Sequence, residues 1–231
     1  MPEARSEQRE RTERAVVVFD YDGTLHECLR IYKPALQKAW DQLVAMGYKQ
    51  PRQLRDEDCA CWLGINVWDM WAGLAPEAPR DVHARCIGIV QSHMKNLVEA
   101  GDARLFPGVV EMLAALAADG FDMVVLSNCK HDYKELHLAC FGLMRWLRGF
   151  YAAEDYGFAP KPEIFKAIEA QFPGRHFIVA GDRYKDLEVA RAYGLESVGC
   201  LYGYGTPEEL ADATLLVHDV RELEAALRTL A

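Results

Sequence analysis

The sequence has no C-x-x-C pair, no uninterrupted apolar run long enough to cross a bilayer, no internal repeat and no low-complexity tract. Each absence closes off a class. Seven cysteines, an odd number whose closest members are Cys59 and Cys61, give neither a zinc-ligand spacing nor a disulfide framework, and they read as reduced thiols of a cytoplasmic protein. Basic residues are also short, with 26 Lys and Arg against 35 Asp and Glu and a formal net charge of −9. Such a surface repels nucleic acid and anionic lipid at long range, so neither is expected as a partner, and an anionic ligand has to be held by local positive charge. Residues 1–14 are almost all charged or polar, with no apolar stretch of the signal-peptide kind, and read as a disordered tail. What remains is 231 residues of which 51% are hydrophobic, enough for one sizeable core, or for a core domain with a second, smaller one.

Apolar, β-branched runs at 15–19, 123–126, 177–180, 197–200 and 215–217 have the composition of strands buried on both faces. Between several of them lie segments of helical spacing, at 109–118, 163–172 and 187–193, the first two introduced by proline signals. Strand alternating with helix predicts an α/β fold, a doubly wound parallel sheet covered by helices, with ligands beyond the carboxyl ends of the strands. The alternation is expected over 15–27 and 104–231. From 28 to 103 it breaks, and apolar residues recur at helical spacing over 31–46 and 82–98, with Trp62, Trp68 and Trp71 between them. A helical insertion directly after the first strand is a candidate lid, or cap domain.

The strand ends carry the polar residues. The first runs into Asp20-Tyr21-Asp22-Gly23-Thr24, two carboxylates where a buried strand opens to solvent. The second ends at Ser127-Asn128, a hydroxyl and an amide able to donate to an oxyanion. Lys161 sits between Pro160 and Pro162 at the mouth of a helix, and the strand at 177–180 leads into Gly181-Asp182-Arg183-Tyr184-Lys185-Asp186. Taken singly, each has a plain structural role open to it: an Asx turn, a helix cap, a solvated lysine. Together, in this order, they define one pocket. Arg30, Lys33, Lys130, His131 and Arg183 lie near these loops and are read mainly as surface charge, and His26 as an incidental loop histidine.

The combination Asp-x-Asp-Gly-Thr at 20–24, Ser127, Lys161 and Gly-Asp-x-x-x-Asp at 181–186 resembles the haloacid dehalogenase-like hydrolase superfamily, over the chain from about Arg14 onward. The insertion at 28–103 is similar to the helical cap of its phosphoglycolate phosphatase-like subfamily. In place of the Asp-Ser pair common after Gly-Thr-Leu-x stands Glu27-Cys28. The resemblance implies a magnesium-dependent phosphatase acting on a small phosphorylated metabolite.

On that reading Asp20 is the nucleophile that forms an aspartyl-phosphate, and Asp22 protonates the leaving alkoxide and later deprotonates water. Burial and neighbouring carboxylates are expected to raise the pKa of Asp22 for this work. Asp20, the backbone carbonyl of Asp22 and Asp182, with Asp186 in support or as a further ligand, suit Mg²⁺. Gly23, Thr24, Ser127, Asn128 and Lys161 are the expected phosphate-binding residues, with Lys161 supplying the fixed charge. A phosphomutase of the same superfamily stays open as an alternative. A phospho-aspartate switch module of the receiver type ranks behind both, because receivers are about half this long and lack an inserted lid. Asp22 argues against a dehalogenase, since a halide leaves without an acid.

Overall fold

The computed structural model describes residues 14–65 and 67–231. The tail expected at 1–14 falls, apart from Arg14, outside the described residues. Six strands form one parallel sheet: β1 (Val16–Phe19), β2 (Asp122–Ser127), β3 (Gly149–Ala152), β4 (Phe177–Gly181), β5 (Glu196–Cys200) and β6 (Leu215–Val217). Their order is β3-β2-β1-β4-β5-β6. The chain therefore winds outward from β1 through β2 to β3, returns to the other side of β1 for β4, and winds outward again. The reversal falls between β1 and β4, where crossover connections leave in opposite directions and a crevice opens beyond the strand ends.

Strand residues alternate between two cores, as a period of two requires. Val17, Phe19, Met123, Val125, Ile178 and Ala180 pack on one face with Leu113, Leu116, Leu223 and Leu227. Val16, Val18, Val124, Leu126 and Val179 pack on the other with Ile164, Phe165, Ile168 and Val189. With apolar side chains required on both faces, β1 is wholly buried and reads as an unbroken run.

The helices, in chain order, are α1 (Leu29–Ala45), α2 (Asp56–Ala60), α3 (Val67–Leu74), α4 (Arg80–Glu99), α5 (Val109–Ala118), α6 (His131–Phe141), α7 (Lys161–Glu169), α8 (Tyr184–Tyr193) and α9 (Val220–Leu230). Helix α7 starts two residues earlier than its apolar spacing predicts, because proline is tolerated in a first turn, where the amide has no partner to lose. It also ends at Glu169, short of the expected Phe172. Strand β3 and helices α6 and α9 are absent from the sequence reading. Gly149 opens β3, and its other residues, Phe150, Tyr151 and Ala152, include no β-branched side chain, so the strand is made by pairing with β2 rather than by propensity.

By backbone contacts the protein divides into two compact units. One holds residues through Glu27 together with Leu105–Ala231, and the other is Cys28–Arg104. The second unit is built on helices α1 to α4 around Leu36, Ala39, Leu43, Trp71, Cys86 and Val90. Trp71 is fully buried there, Trp62 packs against that core, and Trp68 is exposed with the Arg80 guanidinium 4.6 Å from its ring centroid.

Candidate active site

The register of the sheet determines which loops meet. Phe19 pairs with Ala180, and the Asp20 amide donates to the Ala180 carbonyl at 2.8 Å, so Asp20 stands level with Gly181 and next to Asp182. Beyond Asp20 the chain turns tightly, with the amides of Leu25 and His26 both donating to the Tyr21 carbonyl, at 2.9 and 2.8 Å. Gly23 adopts φ +100°, and a Cβ there would lie 2.2 Å from Asp182 Oδ2. Both the backbone conformation and the space demand glycine.

Lys161, at the start of α7, reaches into this crevice and is buried. Its ammonium donates to Asp20 Oδ1 at 2.5 Å and to Asp186 Oδ1 at 2.6 Å. The other oxygen of Asp186 accepts from the Arg183 amide at 2.8 Å, fixing the carboxylate to the first turn of α8. Asp182 accepts at Oδ2 from the Tyr204 amide at 2.7 Å, and its Oδ1 is buried with no partner among the described residues. One oxygen from each of Asp20, Asp182 and Asp186 lies within 4.8 Å of the others.

Three buried carboxylates face one ammonium. Two unit charges 4 Å apart repel by about 4 kcal/mol at an effective dielectric near 20. Burial first, and then Asp186, raise Asp20 to about 7 against the opposing pull of Lys161. Burial and the same neighbours hold Asp182 well above the usual carboxylate range. Burial works against the Lys161 charge, but Asp186 and Asp20 outweigh it and raise its pKa. An excess of hard oxygen donors, one of them without a partner, is a donor set that fits a small divalent cation such as Mg²⁺.

Asp22 has different surroundings. Its Oδ1 accepts from the Tyr133 hydroxyl and from His26 Nδ1, both at 2.7 Å. His26 is fully buried, stacks on Tyr21 with ring centroids 5.3 Å apart, and packs edge-on against His137 at 4.6 Å. Tyr21 and His137 are joined through the Tyr21 hydroxyl and Nδ1 at 2.9 Å. Burial pushes the His137 imidazole down to about 3, with His26 adding to the shift. The Asp22 pKa is lowered, not raised as expected. Burial alone would raise it, but the hydrogen bond and charge of His26, with the Tyr133 hydroxyl, favour the carboxylate more. His26 is accordingly part of the site rather than incidental.

The oxyanion donors are distributed unevenly. Thr24 is buried with its Oγ1 unpartnered among the described residues, while its carbonyl accepts from the Tyr202 hydroxyl at 2.8 Å. Ser127 is buried at the end of β2, two residues past the partner of Phe19, and Asn128 after it is exposed. Four of the other charged candidates are engaged locally: Arg183 with Glu209, His131 with Asp155, Lys33 with Asp56, and Arg30 with the Asp102 carbonyl. Lys130 is exposed at the start of α6.

Sequence reasoning missed the loop after β5. Gly203 and Gly205 close over Asp182, where an added Cβ would lie 2.3 Å from the Asp182 Cβ and 1.9 Å from its carbonyl oxygen, respectively. The available signal was Tyr202-Gly203-Tyr204-Gly205 directly beyond a strand end. Tyr133, in the first turn of α6, gave none.

An acidic crevice at the switch point of a parallel sheet, with a buried lysine laid across it, has the make-up of an α/β enzyme site centred on aspartate. The profile of the haloacid dehalogenase-like hydrolases matches residues 15–194. The chain belongs to that family, as its motifs led one to expect, and stands among its phosphatases. It is 29% identical over 204 residues to the phosphoglycolate phosphatase of Pectobacterium atrosepticum, covering 84% of this chain and 83% of that one. A structure described as a predicted phosphoglycolate phosphatase from Haemophilus somnus superposes with a TM-score of 0.77 at 19% identity, over 92% of this chain and 97% of the other. Protein tyrosine kinase A of Mycobacterium tuberculosis superposes with a TM-score of 0.72 at 20% identity, over 93% and 98% of the two chains. At 19% and 20% identity these two structures speak to fold alone, and the details of the reaction have to be argued from the site.

Proposed function

We propose that this protein hydrolyses a small phosphate monoester through a phosphoenzyme on Asp20. The observation that carries the reading is the buried Lys161 bridging Asp20 and Asp186 beside the bare oxygen of Asp182. A carboxylate so placed has one oxygen tied down and aligned, and a fixed positive charge at hand for the phosphoryl oxygens. Asp20 attacks phosphorus, the ester P–O bond breaks, and the electron pair leaves on the alcohol oxygen, which takes the proton from the protonated form of Asp22, the minor one in the free site because His26 and Tyr133 favour the carboxylate. Asp22, now a carboxylate, removes a proton from water as that water attacks phosphorus. The P–O bond to Asp20 breaks, releasing inorganic phosphate and restoring the nucleophile. Thr24, Ser127 and Asn128, with amides of the loop around Gly23, are assigned to the phosphoryl oxygens.

Asp20, Asp182, the Asp22 backbone carbonyl and Asp186 would hold Mg²⁺, which when bound supplies charge neutralisation for the approach of two anions. The helical unit Cys28–Arg104 is assigned the role of cap, by its place in the chain directly after the first motif loop. Among the described residues no helix is long and apolar enough to cross a membrane. None of the seven cysteines is disulfide-bonded, as suits a reducing, cytoplasmic setting. Because curated relatives carry the name phosphoglycolate phosphatase, 2-phosphoglycolate heads the panel of substrates to try.

The test is a screen of purified protein against phosphorylated metabolites with Mg²⁺ or a chelator, reading released phosphate. Turnover that needs Mg²⁺ and vanishes in Asp20→Asn is expected. Full activity in that variant, or steady turnover without a divalent cation, removes the mechanism; transfer to a sugar without free phosphate identifies a mutase instead.

A further inference from the structure

The two hydrogen bonds to Asp22 fall on one oxygen. Tyr133 and His26 both meet Oδ1, and Oδ2 receives no hydrogen bond from any described residue. A carboxyl with one oxygen held by two donors carries its proton on the other, because the held lone pairs are already engaged. The His26 nitrogen that meets Asp22 is Nδ1, so Nδ1 bears the donated hydrogen, and the ring is fixed by its stack on Tyr21 and its full burial. The Tyr133 oxygen lies 3.3 Å from the same nitrogen, so the three groups form a closed triangle on one side of the carboxylate.

We propose that His26 and Tyr133 are positioning residues for the reaction: they clamp Oδ1 of Asp22 so that Oδ2 alone delivers and collects the proton. The inference rests on the reading of Asp22 as acid and base given above. In the first step the proton moves from Oδ2 to the leaving alcohol oxygen as its bond to phosphorus breaks. An alkoxide needs that proton, whereas a nitrophenolate departs without it. Loss of the clamp therefore has a signature that depends on the leaving group, which a merely structural role does not produce.

The experiment compares kcat/KM for p-nitrophenyl phosphate and for 2-phosphoglycolate, or the best alkyl phosphate of the screen, in the Mg²⁺-loaded wild-type protein, Tyr133→Phe, His26→Leu and His26→Asn. This ratio reports only steps through formation of the phosphoenzyme, so the shared hydrolysis step does not enter. Tyr133→Phe and His26→Leu should lose about tenfold or more on the alkyl phosphate beyond any loss on the nitrophenyl ester, part of the roughly 10²–10⁴-fold that a positioned acid supplies. His26→Asn keeps an N–H donor at the place of Nδ1 and should recover most of the difference. Tyr133→Phe removes a single hydroxyl, and its thermal unfolding, measured alongside, guards against a loss of fold. Equal losses on both substrates, or none, overturn the clamp and leave the reading of the site standing. A wild-type protein inactive on every phosphate ester overturns that reading, and the clamp with it.

Discussion

Replacing Asp20, the proposed nucleophile, should make the metal-free protein more stable at neutral pH while ending its activity. Asp20 is raised from 3.8 to about 7, first by burial and then by Asp186. A carboxyl whose folded pKa lies above its unfolded value holds its proton more tightly when folded. Its contribution is fully present below the unfolded pKa and is lost as pH rises through the folded one. The difference of about 3 units, at about 1.36 kcal/mol each, gives an upper figure of about 4 kcal/mol lost between pH 4 and 8. Asn resembles the protonated carboxyl in shape and keeps an oxygen for the Lys161 ammonium, but carries no charge to be lost. Asp20→Asn should therefore match the wild type near pH 4 and exceed it by up to about 4 kcal/mol at pH 8 in chelator, or about 8–16 °C in Tm at 2–4 °C per kcal/mol for a chain this long. The comparison is made between the two proteins at each pH because His137, held down to about 3 by burial, moves stability in the opposite direction over an overlapping range in both. Thermal unfolding by calorimetry at several pH values, with chelator and then with excess Mg²⁺, checks it. Mg²⁺ should stabilise the wild type more than the variant. A difference between the two that does not grow with pH would refute the electrostatic account of the crevice.

Lys161→Met leaves Asp20 and Asp186 without their shared ammonium, and loss of one partner from a buried ion pair costs about 3–5 kcal/mol, so denaturant unfolding at pH 7.5 should shift accordingly and phosphatase activity should fall to background. Gly203→Ala and Gly205→Ala drive a Cβ into Asp182; both should raise the Mg²⁺ concentration for half-maximal activity, read by titration at saturating substrate, and an unchanged requirement would separate that loop from the cation site. Gly23→Ala meets both a positive φ and the Asp182 carboxylate, and should destabilise the fold by at least about 1 kcal/mol in urea unfolding while lowering activity.

Five of the six strands were legible as apolar runs, which burial on both faces forces in Val16–Phe19 and Asp122–Ser127, whereas β6 keeps such a run at the sheet edge with Leu216 exposed. Strand β3 was not, since its pairing with β2 compensates for a weak local preference. The polar residues that strand ends bring together were also visible. Asp20, Lys161, Asp182 and Asp186 stand out as charges where a buried run stops, and the structure brings all four to one crevice. The pKa of Asp22 was misjudged for a physical reason: burial, which raises it, is outweighed first by His26, four positions on and read as incidental, and then by donors such as Tyr133, 111 positions away, whose arrival beside Asp22 no local pattern records.

The sequence by itself determined that strands of a parallel sheet end in carboxylates, because a buried backbone admits only apolar residues until it reaches solvent. Only the tertiary structure decided which oxygen each carboxylate keeps free. That depends on sheet register, which sets Asp20 level with Gly181, and on donors from distant segments: the Tyr204 amide on Asp182, and Tyr133 of α6 on Asp22. Hydrogen bonds act over less than a side chain's length, and no pattern along the chain records which distant group will come within that reach.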